Sequence, residues 1–288
     1  MALAINTNVA ALKAQRQLTE TTLALGITFE RLSSGLRINS SADDPAGLAI
    51  STRMTSQIRG MNVAIRNTND GISLAQVADG ALEEIESSLI TLNEHYIDAS
   101  NASKQASDRE AIQDQITALL AEIQRTSTST EFNGFKLING SYNANLFQIG
   151  AEAGNTLSLT IATASLGGLG ISVDGTATGL NSIGENVLTT TSAVDIAGSN
   201  QVKIASALDS ISDIRSNLGA IQNRFEAVIA NLSHAVENTK AAQSRIMDAD
   251  FAEETAKLTR NSILQQAGVA ILAQANQQPA IVLSLIGS

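Results

Sequence analysis

Apolar residues along this 288-residue chain fall into long helical stripes, and the two outermost stripes stand apart from the rest. Residues 1–42 and 246–288 both read as Ala- and Gln-rich amphipathic helices, neither of which buries its stripe alone. In the first, Leu18, Leu25 and Leu32 recur every seven residues, with Phe29 and Leu36 in the intermediate steps of a coiled-coil seam. The second answers with Leu264, Gly268, Ile271, Ala275, Val282 and Leu285 at similar spacing. Such helices need partners, either the opposite end of the chain or neighbouring copies of it. The pattern points to assembly before it points to any chemistry.

Between the ends, Asp43-Asp44-Pro45 predicts a helix start, with an acidic N-cap and proline at the first helical position. The helix should run from about Pro45 to Asp98, about 80 Å at 1.5 Å per residue. Ile58, Ile65, Ile72, Leu82 and Leu89 mark one face, which also carries Asp79 and Glu86; Leu74, Ala78, Ile85 and Leu92 mark a second. Two faces imply two neighbours, hence a bundle. Ser107 with Glu110 predicts a capping box opening a second helix, seamed by Ile112, Ile116, Leu119 and Ile123.

The pattern then changes. Asn133-Gly134 and Asn139-Gly140 are hairpin-type dipeptides, and Leu157, Leu159 and Ile161 alternate as a strand facing the segment around Phe147 and Ile149. Residues 163–200 are Gly-, Ser- and Thr-rich and read as an exposed connection. Helical period returns with Ile204, Leu208, Ile211, Leu218, Phe225, Ile229 and Leu232, while Arg215 and Gln222 interrupt it as register-fixing polar positions. The expected fold is mainly α. A long-helix bundle fills 43–245, with a small β-hairpin element around 132–162, and a terminal coiled coil joins 1–42 to 246–288.

Composition narrows the function. Aromatics are only 3% and Trp is absent, so Ala, Ile and Leu must do the packing. A net charge of −10 disfavours nucleic acid and anionic membrane as partners. The first 40 residues carry a balance of +2 and the last 43 a balance of −2, which favours pairing of the ends. No cysteine is present for disulfides or thiolate metal sites. The opening MALAINTNVAALKAQRQL lacks the layout of a cleaved secretory signal. Ile263–Ile286 is long enough to span a bilayer, but its glutamines and Pro279 make insertion costly. The two histidines, His95 and His234, have no ligand partners at metal spacing, and Glu94 beside His95 is not an HExxH site. No catalytic residues, cofactor or metal are expected.

Several blocks carry a family resemblance: LSSGLRINSSADDPAGLAIS at 32–51, LGAIQNRFE at 218–226, SRIMDADFAEET at 244–255, ILQQAGVAILAQANQ at 263–277 and VLSLI at 282–286. In this order they resemble bacterial flagellins, the subunits of the flagellar filament, in a minimal form with little or no outer domain. The resemblance implies an extracellular structural polymer of identical subunits that serves swimming motility. Its terminal coiled coil would line the filament channel; separately, isolated helices with half-buried stripes are marginal, so the ends are expected to be unordered until assembly. It also implies export of the unfolded chain with an export chaperone, folding under a filament cap, and contact with hook-junction proteins. A hook-filament junction protein of the same family is the alternative, and a metal-dependent hydrolase has no ligand set in its favour. Many flagellins activate an animal Toll-like receptor through an Arg and a Leu on the first bundle helix and a Glu on the second. The matching positions here are Thr91, His95 and Gln115, which implies weak recognition. The Ser/Thr cluster at 189–192 could carry O-linked glycans.

Overall fold

The computed structural model describes residues 8–101, 103–171 and 193–286. Five helices carry it: α1 (Val9–Ser34), α2 (Pro45–Ala99), α3 (Ala106–Ser129), α4 (Ala193–Met247) and α5 (Phe251–Ile286). Four short strands, β1 (Glu131–Phe132), β2 (Phe135–Lys136), β3 (Asn145–Gln148) and β4 (Thr156–Leu159), lie between α3 and α4. Backbone contacts divide the chain into two compact units, Met1–Ile58 with Glu237–Ser288, and Arg59–Val236. The first unit takes in the start of α2 and the end of α4, which are joined where the Gln243 side-chain amide donates to the hydroxyls of Ser51 and Thr55.

Local chemistry fixes the helix ends. At the start of α2 the Asp44 carboxylate accepts hydrogen bonds from the backbone N–H of Ala46 (3.1 Å) and Gly47 (2.9 Å), with Pro45 at the first position. The capping box of α3 is not Ser107 with Glu110. The helix starts two residues earlier, with Gln105 as its cap, and Asp108 accepts from the backbone N–H of Gln105 at 3.1 Å. α1 stops at Gly35, whose left-handed backbone (φ 72°) suits glycine and lets its N–H reach the Arg31 carbonyl at 2.8 Å.

In the unit Arg59–Val236 the core is a strict alternation of three and four residues along α2. Met61, Ala64, Thr68, Gly71, Ala75, Ala78, Leu82, Ile85, Leu89, Leu92, Tyr96 and Ala99 are all buried. Both expected faces of α2 thus contribute to one seam, while Ile65 and Ile72 are only half-buried. Ile112, Ile116, Leu120 and Ile123 of α3 and Ile204, Ile211 and Leu218 of α4 close the core, with Leu119 and Leu208 half-buried against it. Ile58 and Phe225 are buried and Leu232 half-buried. Phe225 meets Phe147 of β3 edge-on, centroids 5.7 Å apart. Gly71 makes room for that pair, since a Cβ there would lie 2.9 Å from the Phe225 ring.

β1 and β2 pair across Asn133-Gly134, both with positive φ. β3 and β4 pair antiparallel with Phe147 opposite Leu157. Asn139-Gly140, expected as a second hairpin dipeptide, instead turns a loop whose Ile138 carbonyl accepts from Ala164 N–H at 2.8 Å. That loop overturns part of the expected exposed connection at 163–200. Ala164, Leu166, Leu169 and Ile171 are buried in the core, and α4 begins at Ala193. Residues 172–192, including the Ser/Thr cluster at 189–192, lie outside the described residues.

Candidate assembly interface

The unit formed by the chain ends is built on α1 and α5 packed antiparallel. Near one end of the pair the Asn8 side-chain amide donates to the Ala275 carbonyl (2.7 Å); towards the other, Arg31 meets Glu254 at 3.5 Å. Between them Gly268 faces Leu18, and the Gln265 amide lies 3.5 Å from the Thr22 hydroxyl. Beyond the helices, Arg37 donates to the Ile246 carbonyl at 2.7 Å, and Leu36 pairs with Asp248 as an isolated β-bridge. Asp250 then caps α5, accepting from Ala252 N–H at 2.8 Å. The Asp43 carboxylate accepts from the backbone N–H of Ser40 and Asn39, which holds its pKa below the usual carboxylate value and secures the turn before α2.

The seam has heptad spacing on both helices, with half-buried leucines alternating with small or polar residues. On α1 it runs through Ala14, Leu18, Thr21, Leu25, Thr28 and Leu32, and on α5 through Glu254, Leu258, Asn261, Gln265, Gly268, Leu272 and Ala275. The buried hydroxyls of Thr21 and Thr28 satisfy themselves within their own helix, donating to the carbonyls of Gln17 (2.8 Å) and Ala24 (2.9 Å). Glu254, only 4% exposed, is held by Arg31 and by Lys257 at 2.9 Å. Hydrogen bonding to Glu254 and then to Glu253 raises the Lys257 pKa.

Several expected seam residues therefore sit elsewhere. Phe29 (55% exposed), Leu264 (48%) and Ile271 (57%) are not between the two ends but on the outside of the pair. Leu36 is half-buried beyond the end of α1 and belongs to the β-bridge. Leu18, Leu25 and Leu32 are half-buried in the seam, and Ala275 is buried there. Val282 and Leu285 lie on α5 with side chains outside the described residues. The outward set is larger than the sequence pattern indicated, adding Leu12, Leu23 and Ile27 on α1 and Ile263 and Val269 on α5. The seven-residue spacing of Leu264 and Ile271 marks a real stripe, but on α5 the inward seam interleaves Leu258 and Leu272 with Asn261, Gln265 and Gly268, so its hydrophobic signal is weaker than that of the outward stripe.

Among the described residues no group of three His, Cys, Asp or Glu side chains is arranged to hold a metal ion, and no helix is long and apolar enough to cross a membrane. Thr91 and His95 are half-buried one turn apart on α2, and Gln115 is exposed on α3.

A helical chain whose paired ends present large apolar side chains to their surroundings is a subunit made for packing with others. Residues 5–143 match the bacterial flagellin N-terminal helical region, and residues 202–286 match the bacterial flagellin C-terminal helical region. The chain is 43% identical to a flagellin of Bacillus subtilis, over 98% of this chain and 99% of the relative. It is 41% identical to a flagellin of Halalkalibacterium halodurans, again over 98% and 99%. A solved structure of a putative flagellar hook-associated protein from Vibrio parahaemolyticus shares the fold. Its TM-score is 0.61 at 12% identity, and the match covers 72% of this chain and all of that one. The chain belongs to the bacterial flagellin family, in a compact form. It is a structural subunit of the extracellular flagellar filament and not an enzyme, and the hook-junction alternative gains no support.

Proposed function

We propose that this chain builds its filament by covering the outward apolar faces of α1 and α5 with neighbouring copies, so that the terminal helices form the filament's inner tube. The supporting observation is the allocation of side chains. The seam within the pair takes five half-buried leucines with small and polar residues between them, and Phe29, Leu264, Val269 and Ile271 stay exposed. Exposed apolar stripes of this kind mark interaction surfaces. Burying each large apolar side chain on assembly contributes about 1.5–3 kcal/mol. Differing patches related by a rotation that does not close generate an open helix.

The test is polymerisation of the full chain after substituting Leu264→Asp and Ile271→Asp. We expect monomers with parental helix content that fail to form sedimenting filaments on seeding. Filaments of parental yield would refute the proposal. Export as an unfolded chain with a chaperone, folding beneath a filament cap and contact with hook-junction proteins complete the proposed route, on family resemblance.

Recognition by the animal receptor is proposed to be weak. Thr91 and His95 stand where a guanidinium and an apolar side chain would be needed, and Gln115 replaces a carboxylate. Hot-spot losses of this kind typically cost about 2 kcal/mol or more each. A reporter-cell assay should show a large loss of potency against an activating flagellin, and full potency would contradict it.

A further inference from the structure

The faces of α1 and α5 turned away from their shared seam are complementary in charge as well as apolar. On α1 this face carries Glu20, Leu23, Ile27 and Glu30, and on α5 it carries Ala256, Arg260, Ile263 and Ala267, all exposed. Ala256, Thr259, Arg260, Ile263 and Leu264 line a shallow depression along α5. Among the described residues Arg260 has no carboxylate at ion-pair distance. Glu30 uses one oxygen to accept from the Asn39 amide and keeps the other available.

Symmetry restricts how these faces meet. Asn8 with Ala275 and Arg31 with Glu254 fix α1 and α5 antiparallel within one copy. Copies in an open helical polymer differ by rotation about, and translation along, one axis, so a helix keeps its direction along that axis in every copy. α1 of one copy therefore meets α5 of the next antiparallel. We infer that Ile27 of one copy packs on Ile263 of the next and that Glu30 pairs with Arg260 beside it. This rests on the reading that the outward faces are contacts between copies.

The register follows from helix spacing. Setting Ile27 opposite Ile263 puts the residue one turn after Ile27, Glu30, opposite the residue one turn before Ile263, Arg260. It also sets Leu23 against Ala267, large against small. The competing pairing of Glu20 with Arg260 would place Leu23 on Lys257 and Ile27 near Glu253, a pair of charges already bound to each other.

Seeded polymerisation of the full chain at low salt tests the pairing with Arg260→Glu, Glu30→Arg, the double reversal, and Glu20→Arg combined with Arg260→Glu, after helix content of each monomer is checked. Each single reversal at 30 or 260 should raise the critical concentration about tenfold, and the double reversal should restore it to within about twofold of the parent. Singles that polymerise like the parent, no restoration in the double, or rescue by Glu20→Arg overturns the pairing. The chain has no cysteine, so the pair Ile27→Cys and Ile263→Cys provides a second readout independent of charge. Oxidised filaments should give a ladder of covalent multimers and oxidised monomers none; no ladder from filaments overturns the register. If Asp at 264 and 271 leaves polymerisation intact, the broader reading fails. If it blocks polymerisation while charge reversal is not rescued, only this pairing fails.

Discussion

Arg215 illustrates how a single polar side chain sets the alignment of two long helices. It reaches Asp79 at 2.9 Å and Glu83 at 3.8 Å and also bonds Glu86, and hydrogen bonds with Asp79 and then Glu86 raise its pKa further. Asp79 and Glu86 are seven residues apart on one face of α2, so sliding α4 by a turn would break at least one contact. Arg215→Ala leaves three carboxylates together without their cation. Because the site is partly exposed, the loss should be about 1–2 kcal/mol, less than for a fully buried pair. Urea unfolding should show a lower midpoint at unchanged slope, and an unchanged midpoint would contradict the role. The sequence marks Arg215 as a register-fixing interruption. It does not show the partners, because Asp79 and Glu86 read only as flaws in an apolar stripe until α4 is placed beside them.

At the scale of elements, α1 and α5 differ from the bundle helices in what they bury. The bundle core is Leu, Ile and Tyr at close to zero exposure, whereas the terminal seam sets leucines that are only half-buried among Thr, Asn, Gln, Gly and Ala, with a buried Glu254. Half-buried leucines and small or polar side chains contribute less than fully buried ones, so the terminal pair should open below the global unfolding free energy. Hydrogen exchange on monomers should find α1 and α5 amides exchanging much faster than those at residues 74–99 of α2, with protection gained in filaments. Equal protection in the monomer would contradict this. The same contrast explains what was legible in the sequence. The Asp44-Pro45 start, the Asn133-Gly134 turn and the β3–β4 pairing follow from local chemistry and could be read directly. The α1–α5 seam could be read only in part: Leu18, Leu25, Leu32 and Ala275 mark it, but Thr21, Thr28, Asn261 and Gln265 face inward only as a result of how the two helices pair. Residues 164–171 were missed for a related reason. Leu166, Leu169 and Ile171 follow no helical or strand period, and tertiary burial alone reveals them as core.

Across the whole molecule, side-chain allocation separates two tasks. The unit Arg59–Val236 contains nearly all of the large, fully buried side chains and has its own core. The unit of the chain ends keeps much of its apolar surface outside, on Leu12, Leu23, Ile27 and Phe29 of α1 and on Ile263, Leu264, Val269 and Ile271 of α5. That distribution suits a subunit completed by its neighbours. The most direct measurement is a helical reconstruction of filaments polymerised from this chain, at a resolution that shows side chains. The account predicts Phe29, Leu264 and Ile271 buried between copies around the central channel, and it would be contradicted by a filament in which these side chains face solvent.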